Sequence, residues 1–200
     1  PFWLANVLFP GLTLSLVAIL GMGLVALERW WNLRNLGIRD PLTGFGNRVA
    51  FTRVIEQRWP QRRERPLGLV LVDLSGFRKV NELYGYSAGD QVLSELSGKI
   101  MKFKRRPDLI FRWGPDEFAL LMDNVQPSEV GAMTERIQEA LETVQYKEVT
   151  LRACVGVAIT GPETATPLDL VEAASRSRYR AKYQREQRTQ ISNVQSQQLG

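Results

Sequence analysis

Arg112-Trp-Gly-Pro-Asp-Glu-Phe118 is the stretch on which the reading of this chain turns. Residues 109–113 before it and 117–122 within and after it are largely apolar, and Gly114, Pro115 and Asp116 between them carry turn chemistry. That pattern predicts two strands joined by a tight turn, with Asp116 and Glu117 at its tip. Upstream, residues 67–72 form a continuous apolar run closed by Asp73, which predicts a buried strand ending on a carboxylate. If the two strands are neighbours, Asp73 and Asp116 converge. With a backbone carbonyl they then make an oxygen-donor site of the kind magnesium takes beside a nucleotide. Taken in isolation, the same acids also fit plain solvated turns.

Working outward, helices are predicted over residues 48–58, 79–84, 90–103, 130–144 and 168–185, and a further strand over 149–159. Gly44, Gly46 and Asn47 precede the first helix and Pro60 ends it. The order α, β, α, α, β, β, α, β, α predicts one antiparallel hairpin inside a mixed sheet with helices packed on it. This is an α+β sandwich with a ferredoxin-like βααββαβ core. Residues 188–200, rich in Gln and Ser, read as a flexible tail or linker.

Composition narrows the chemistry. The 200 residues contain no histidine and one cysteine. His-based triads, His metal sites and an internal disulfide are therefore excluded, and a catalytic metal must be held by oxygen. Cys154 lies in an apolar run and reads as a small buried hydrophobe. The net charge is +5, but the positive residues are scattered among acidic ones, so no nucleic-acid partner is expected.

Residues 1–27 carry no charged side chain, with Trp3 near one end and Trp30 and Trp31 beyond the other. Residues 1–28 therefore read as one transmembrane helix with interfacial aromatics, and 29–39 as a short linker helix. Arg29, Arg34 and Arg39 follow the apolar run and no Lys or Arg precedes it, which places the domain at 40–187 in the cytoplasm. A cleaved signal peptide, which wants its positive charge first, fits less well.

Five motifs carry a family resemblance. Asp40-Pro-Leu-Thr-Gly-Phe-Gly-Asn47-Arg48 resembles D-x-L-T-G-L-x-N-R, and Asp73-Leu-Ser-Gly-Phe77-Arg78-Lys-Val-Asn81 resembles D-I-D-x-F-K-x-x-N. Tyr84-Gly85-Tyr86-Ser-Ala-Gly89-Asp90-Gln-Val-Leu93 resembles Y-G-H-x-x-G-D-x-x-L. Arg112 to Phe118 resembles R-x-G-G-D-E-F, and Tyr179-Arg-Ala181-Lys182 resembles Y-x-A-K. In order across 40–187, they identify the chain as resembling GGDEF domains of the diguanylate cyclase family. The resemblance implies a nucleotidyl-cyclase-like fold anchored in a bacterial inner membrane and working as a homodimer or with a signalling partner. It also implies magnesium, GTP and cyclic di-GMP as ligands. By resemblance, Asp73, the Leu74 carbonyl and Asp116 hold the metal, and Asp116 or Glu117 helps deprotonate the attacking hydroxyl. Asn81 and Asp90 bond the guanine edge. Phe77 belongs to the nucleotide-contacting set, and Arg78 and Lys182 meet phosphates. Arg105-Arg-Pro-Asp108 has the R-x-x-D pattern of the family's inhibitory product site.

The chain also departs from the family. Pro115 stands for the second Gly of the signature, removing an N–H and fixing φ near about −65°. Ser75 replaces the second Asp of D-I-D, Gly76 stands where a larger residue is common, Tyr86 replaces His, and Arg78 replaces Lys. Arg185-Glu186-Gln187 stands for G-R-N, and Ser175 and Ser177 replace Asp and Ala. The expectation is a degenerate domain that binds cyclic di-GMP or GTP with weak or no synthesis. An active diguanylate cyclase and a non-binding interaction module are the alternatives.

Overall fold

The computed structural model describes residues 20–24, 37–102, 104–142 and 144–198. The chain divides into two compact units, Pro1–Arg39 and Asp40–Gly200. In the first, residues 20–24 are helical. The rest of the expected transmembrane helix and nearly all of the expected linker helix lie outside the described residues. Among the described residues, no helix is long and apolar enough to cross a membrane.

The second unit contains β1 (Leu67–Ser75), β2 (Leu109–Arg112), β3 (Glu117–Asp123), β4 (Val144–Tyr146) and β5 (Val149–Ile159). Its helices are α1 (Arg48–Arg58), α2 (Phe77–Tyr84), α3 (Tyr86–Met101), α4 (Pro127–Glu142) and α5 (Pro167–Gln198). A short 3₁₀ turn at Trp59–Gln61 follows α1. Asn47 caps α1, its side chain accepting from the Ala50 N–H at 3.0 Å.

The sheet order is β2-β3-β1-β5-β4. Every pairing between strands is antiparallel, which corrects the expected mixed sheet. The α2–α3 crossover joins β1 to β2, which run the same way with the reversed β3 between them, and α4 carries the chain from β3 past β1 and β5 to β4 at the far edge.

The continuous apolar run of β1 resolves into two faces, because successive strand residues point to opposite sides. Val70, Val72 and Leu74 pack in one core with Phe77 and Val80 of α2, Val92, Leu93 and Leu96 of α3, and Met133 and Ile137 of α4. Leu67, Leu69 and Leu71 pack in the other, with Phe51 and Ile55 of α1 and Leu170 and Ala174 of α5. A strand covered on both faces needs no polar alternation, which is why its sequence shows none. Cys154 is buried in β5, opposite Asp73 in the strand register.

Several boundaries differ from the sequence expectation, and α3 and α4 begin at Tyr86 and Pro127, ahead of the expected 90 and 130. α2 begins at Phe77 because Gly76 takes φ +92°, and a Cβ there would stand 2.8 Å from the Thr150 carbonyl oxygen. The glycine that looked like a departure thus serves a turn no larger residue fits. β4 is absent from the sequence expectation, which has a helix ending at Val144; its two-residue turn has Lys147 at φ +51°, without the Gly or Asn that marks such hairpins. The backbone of α5 continues to Gln198, past the expected end at 185, since no Gly or Pro interrupts that stretch.

The α5–β5 contact is unusually close. A Cβ on Gly156 would lie 2.3 Å from the Ala174 carbonyl oxygen and 2.3 Å from the Arg178 nitrogen, both backbone atoms. The Val157 N–H donates to Ser177 Oγ at 3.2 Å, so this serine, where alanine is usual, fastens helix to strand. Gly156→Ala is expected to cost about 3 kcal/mol by forcing α5 outward, lowering Tm by about 6–12 °C. Gly161→Ala, with open space around its Cβ, should leave Tm within about 1–2 °C of wild type. A thermal melt of both variants checks this, and equal Tm values would refute the contact.

Candidate functional site

The site is built at the C-terminal end of β1, where the fold first allows a polar side chain on the central strand. The hairpin between β2 and β3 closes through the Trp113 and Gly114 N–H groups, which donate to the Glu117 carbonyl at 2.8 and 3.2 Å. Neither bond needs an N–H at position 115, so Pro115 fits the turn. The Leu74 N–H donates to the Asp116 carbonyl at 3.1 Å and ties the tip to β1. Arg112 braces the same turn from the other side. Its Nε and Nη2 donate to the carbonyls of Gly114 and Pro115 at 3.3 and 3.0 Å. Its Nη1 reaches both oxygens of Asp40 at 3.2 and 3.0 Å. Burial pushes the Asp40 carboxyl up. Hydrogen bonds from Thr43 and the Arg112 charge outweigh this and leave it below its ordinary value.

Asp73 lies opposite Glu117 in the strand register, and Asp116 adjoins both. The predicted convergence of Asp73 and Asp116 is therefore present. Burial holds the Asp116 carboxyl above its ordinary value, and the negative charges of Asp73 and Glu117 push it further the same way, against the opposing Lys182.

Two cations from α5 face these acids. Lys182 Nζ is 3.7 Å from Asp73 Oδ1, and Arg178 Nη1 is 3.7 Å from Asp73 Oδ2. The same Arg178 nitrogen donates to Glu117 Oε1. Arg178 was not singled out from the sequence. Its signal was its spacing: it stands four residues before Lys182 and so shares that helix face.

The other expected nucleotide residues are spread along α2 and α3. Asn81 Oδ1 is buried and has no hydrogen-bond partner among the described residues, and a Cβ on Gly89 would fall 2.0 Å from it. Gly89 thus leaves the space in which the Asn81 side chain sits, and the next residue, Asp90, is exposed. A buried amide oxygen awaiting a donor suits a ligand that brings an N–H. Phe77 is buried in the core beneath. Arg78 is turned to solvent and paired with Glu82 at 2.7 Å rather than gathered toward the acids.

The family description "Diguanylate cyclase, GGDEF domain" matches residues 38–188. The chain belongs to the GGDEF family. It is 31% identical over 157 residues to the bifunctional diguanylate cyclase/cyclic di-GMP phosphodiesterase MucR of Pseudomonas aeruginosa, covering 76% of this chain but 23% of MucR. Among solved structures it resembles the diguanylate cyclase SiaD of P. aeruginosa, crystallised with its activator SiaC. That match has TM-score 0.67 and 29% identity, and covers 92% of this chain and 74% of SiaD. The coiled coil and GGDEF domain of DgcB from Caulobacter crescentus, in complex with c-di-GMP, shares the fold at TM-score 0.74 and 22% identity. There the match covers 84% of this chain and 95% of that one.

In this GGDEF domain the R-x-x-D segment is folded in on itself. Asp108 is 0% exposed, and its Oδ2 accepts from the Arg105 N–H and Nε at 3.1 and 3.2 Å. Arg105 Nη1 also donates to Glu129 Oε1 at 2.6 Å. Arg105 Nη2 and Asp108 Oδ1 are left buried without partners. The carboxylates of Asp73 and Asp116 have the donor chemistry a hard cation takes, and the charge crowding at Asp116 is what a cation would relieve. Among the described residues no group of three or more acidic, Cys or His side chains could hold a metal. A cation here would complete its shell from backbone and nucleotide oxygens.

The Asp40–Arg112 bridge yields a pH test. A depressed carboxyl adds stability above its unfolded value of 3.8, and this is lost as pH falls through the lower folded value. Asp40→Asn should destabilise by about 2 kcal/mol at pH 7, leaving Arg112 partly buried without its counter-charge. Urea unfolding at pH 7 and pH 3 should show the difference from wild type shrinking at the lower pH.

Proposed function

We propose that the chain is a degenerate GGDEF domain of cyclic di-GMP signalling, which binds GTP or cyclic di-GMP and synthesises little or no product. The observation that carries this reading is the hairpin tip. Pro115 offers no N–H where a phosphate would approach, and Arg112 occupies the carbonyls of Gly114 and Pro115. The acids nevertheless keep their places at the ends of β1 and β3. Asp73, the Leu74 carbonyl and Asp116 would hold magnesium, which when bound neutralises phosphate charge. Asn81 and Asp90 would take the guanine edge, the buried Asn81 oxygen accepting a base N–H. Lys182, which faces Asp73, would meet phosphate. Arg78 and the Arg105–Asp108 pair would first have to leave Glu82 and Glu129.

Membrane anchoring through residues 1–28, with the domain in the cytoplasm, belongs to the same proposal and rests on the apolar run and the arginines after it. So does a homodimer or a signalling partner, since joining two GTP molecules needs two facing domains.

An active cyclase is the second reading. It is favoured by the intact Leu74–Asp116 bond, which shows the turn accepting Pro115 without losing its tie to β1.

Incubation with GTP and magnesium, with cyclic di-GMP quantified and both nucleotides titrated by calorimetry, separates the readings. Wild type is expected to bind nucleotide and to synthesise at least about 100-fold less than Pro115→Gly, the scale of a ~1 Å misplacement in a positioning site. Cyclic di-GMP binding should be lost in Arg105→Ala. Rapid synthesis by wild type, abolished in Asp116→Ala and unchanged in Pro115→Gly, would establish the cyclase. Absence of all binding would leave an interaction module.

A further inference from the structure

The acidic site contains its own cation. Both carboxylate oxygens of Asp73 face positive side chains of α5, Oδ1 toward Lys182 and Oδ2 toward Arg178, each at 3.7 Å. Arg178 also holds Glu117 across the strand pair. Arg178 is mostly covered, with 22% of its side chain exposed. Its backbone sits against Gly156, where no Cβ fits, and the neighbouring Ser177 is bonded to the β5 backbone. The helix therefore cannot carry the guanidinium away without breaking the α5–β5 contact; only the side chain itself can swing. Asp116 is the one acid of the three with no ion pair to α5 among the described contacts.

We propose that Arg178 is a resident counter-cation that competes with a divalent metal for the Asp73 carboxylate, so that the metal enters only by displacing it. The inference rests on the reading of Asp73 and Asp116 as metal ligands and adds a control on that site. At 3.7 Å the Arg178–Asp73 contact is an ion pair rather than a close hydrogen bond, so it fills the charge demand of Asp73 without locking the geometry. A divalent cation offers twice the charge but must first expel the guanidinium, which lowers its affinity for the nucleotide-free protein.

The experiment titrates the purified chain with Mn²⁺ alone, following the free-ion electron paramagnetic resonance signal, with Mg²⁺ competition. Arg178→Leu is expected to bind Mn²⁺ at least about 10-fold more tightly than wild type. Arg180→Leu, the same charge change on an exposed part of the same helix, should change affinity by less than about 2-fold, because exposed charges are screened. Adding Asp116→Ala to Arg178→Leu should abolish the gain. Arg178→Lys, which keeps the charge and loses the fork, should lie between wild type and Arg178→Leu, and it carries the test if Arg178→Leu fails to melt cooperatively without metal. Equal affinities in wild type, Arg178→Leu and Arg178→Lys would overturn the proposal, as would equal gains in Arg178→Leu and Arg180→Leu. Absence of Mn²⁺ binding in every variant would overturn it too. GTP and cyclic di-GMP calorimetry on the same preparations then tells whether nucleotide binding stands without it.

Discussion

The position of β1 constrains everything else in this domain. It lies between β3 and β5, with helices on both faces, so its residues up to Val72 must be apolar whichever way they point. The first place a charge can stand on it is Asp73, at 19% side-chain exposure. The register then decides the neighbours: Glu117 on one side and Cys154 on the other. The polar chemistry is concentrated at one end of the sheet because the middle has no room for any.

That concentration creates an electrostatic problem, which the chain solves from α5. Asp73, Asp116 and Glu117 stand together at the end of the sheet, and burial with the charges of the other two raises the Asp116 carboxyl above its ordinary value. Arg178 and Lys182 relieve two of them, while Asp116 stays shifted upward. Two cations against three carboxylates leave the cluster short of one positive charge. This is the form in which a site can be stable alone and still accept a cationic or metal-bearing ligand.

Much of this could be read from the sequence, for physical reasons. The run at 67–72 reads as a covered strand because it is continuous and apolar. Asp73, Asp116 and Glu117 were legible because strand ends announce themselves by a change from apolar to polar. α1, placed between the turn residues ending at Asn47 and Pro60, followed from local rules, while the capping bond of Asn47 emerged only from the structure. What was not legible depended on tertiary contact. Gly76 looked like a loss until the Thr150 carbonyl showed why nothing larger fits. Ser177 stood among the departures from the family pattern, yet it bonds the β5 backbone. The Arg105–Asp108 pair had the right spacing, but spacing carries no information about burial, and the Asp108 side chain is fully covered. β4 escaped because Lys147 makes its turn without a turn residue.

The bridge between Arg112 and Asp40 has a kinetic meaning as well as a structural one. It joins residues 72 apart in the chain, and Arg112 reaches Asp40 from the end of the β2–β3 pairing. Contacts of such long sequence separation close late, because the loop between them must be ordered first. The opening Asp40–Thr43 turn therefore docks onto a sheet that already exists. Its bonds resist opening of the finished domain far more than they hasten its assembly, which makes this ion pair a brake on unfolding.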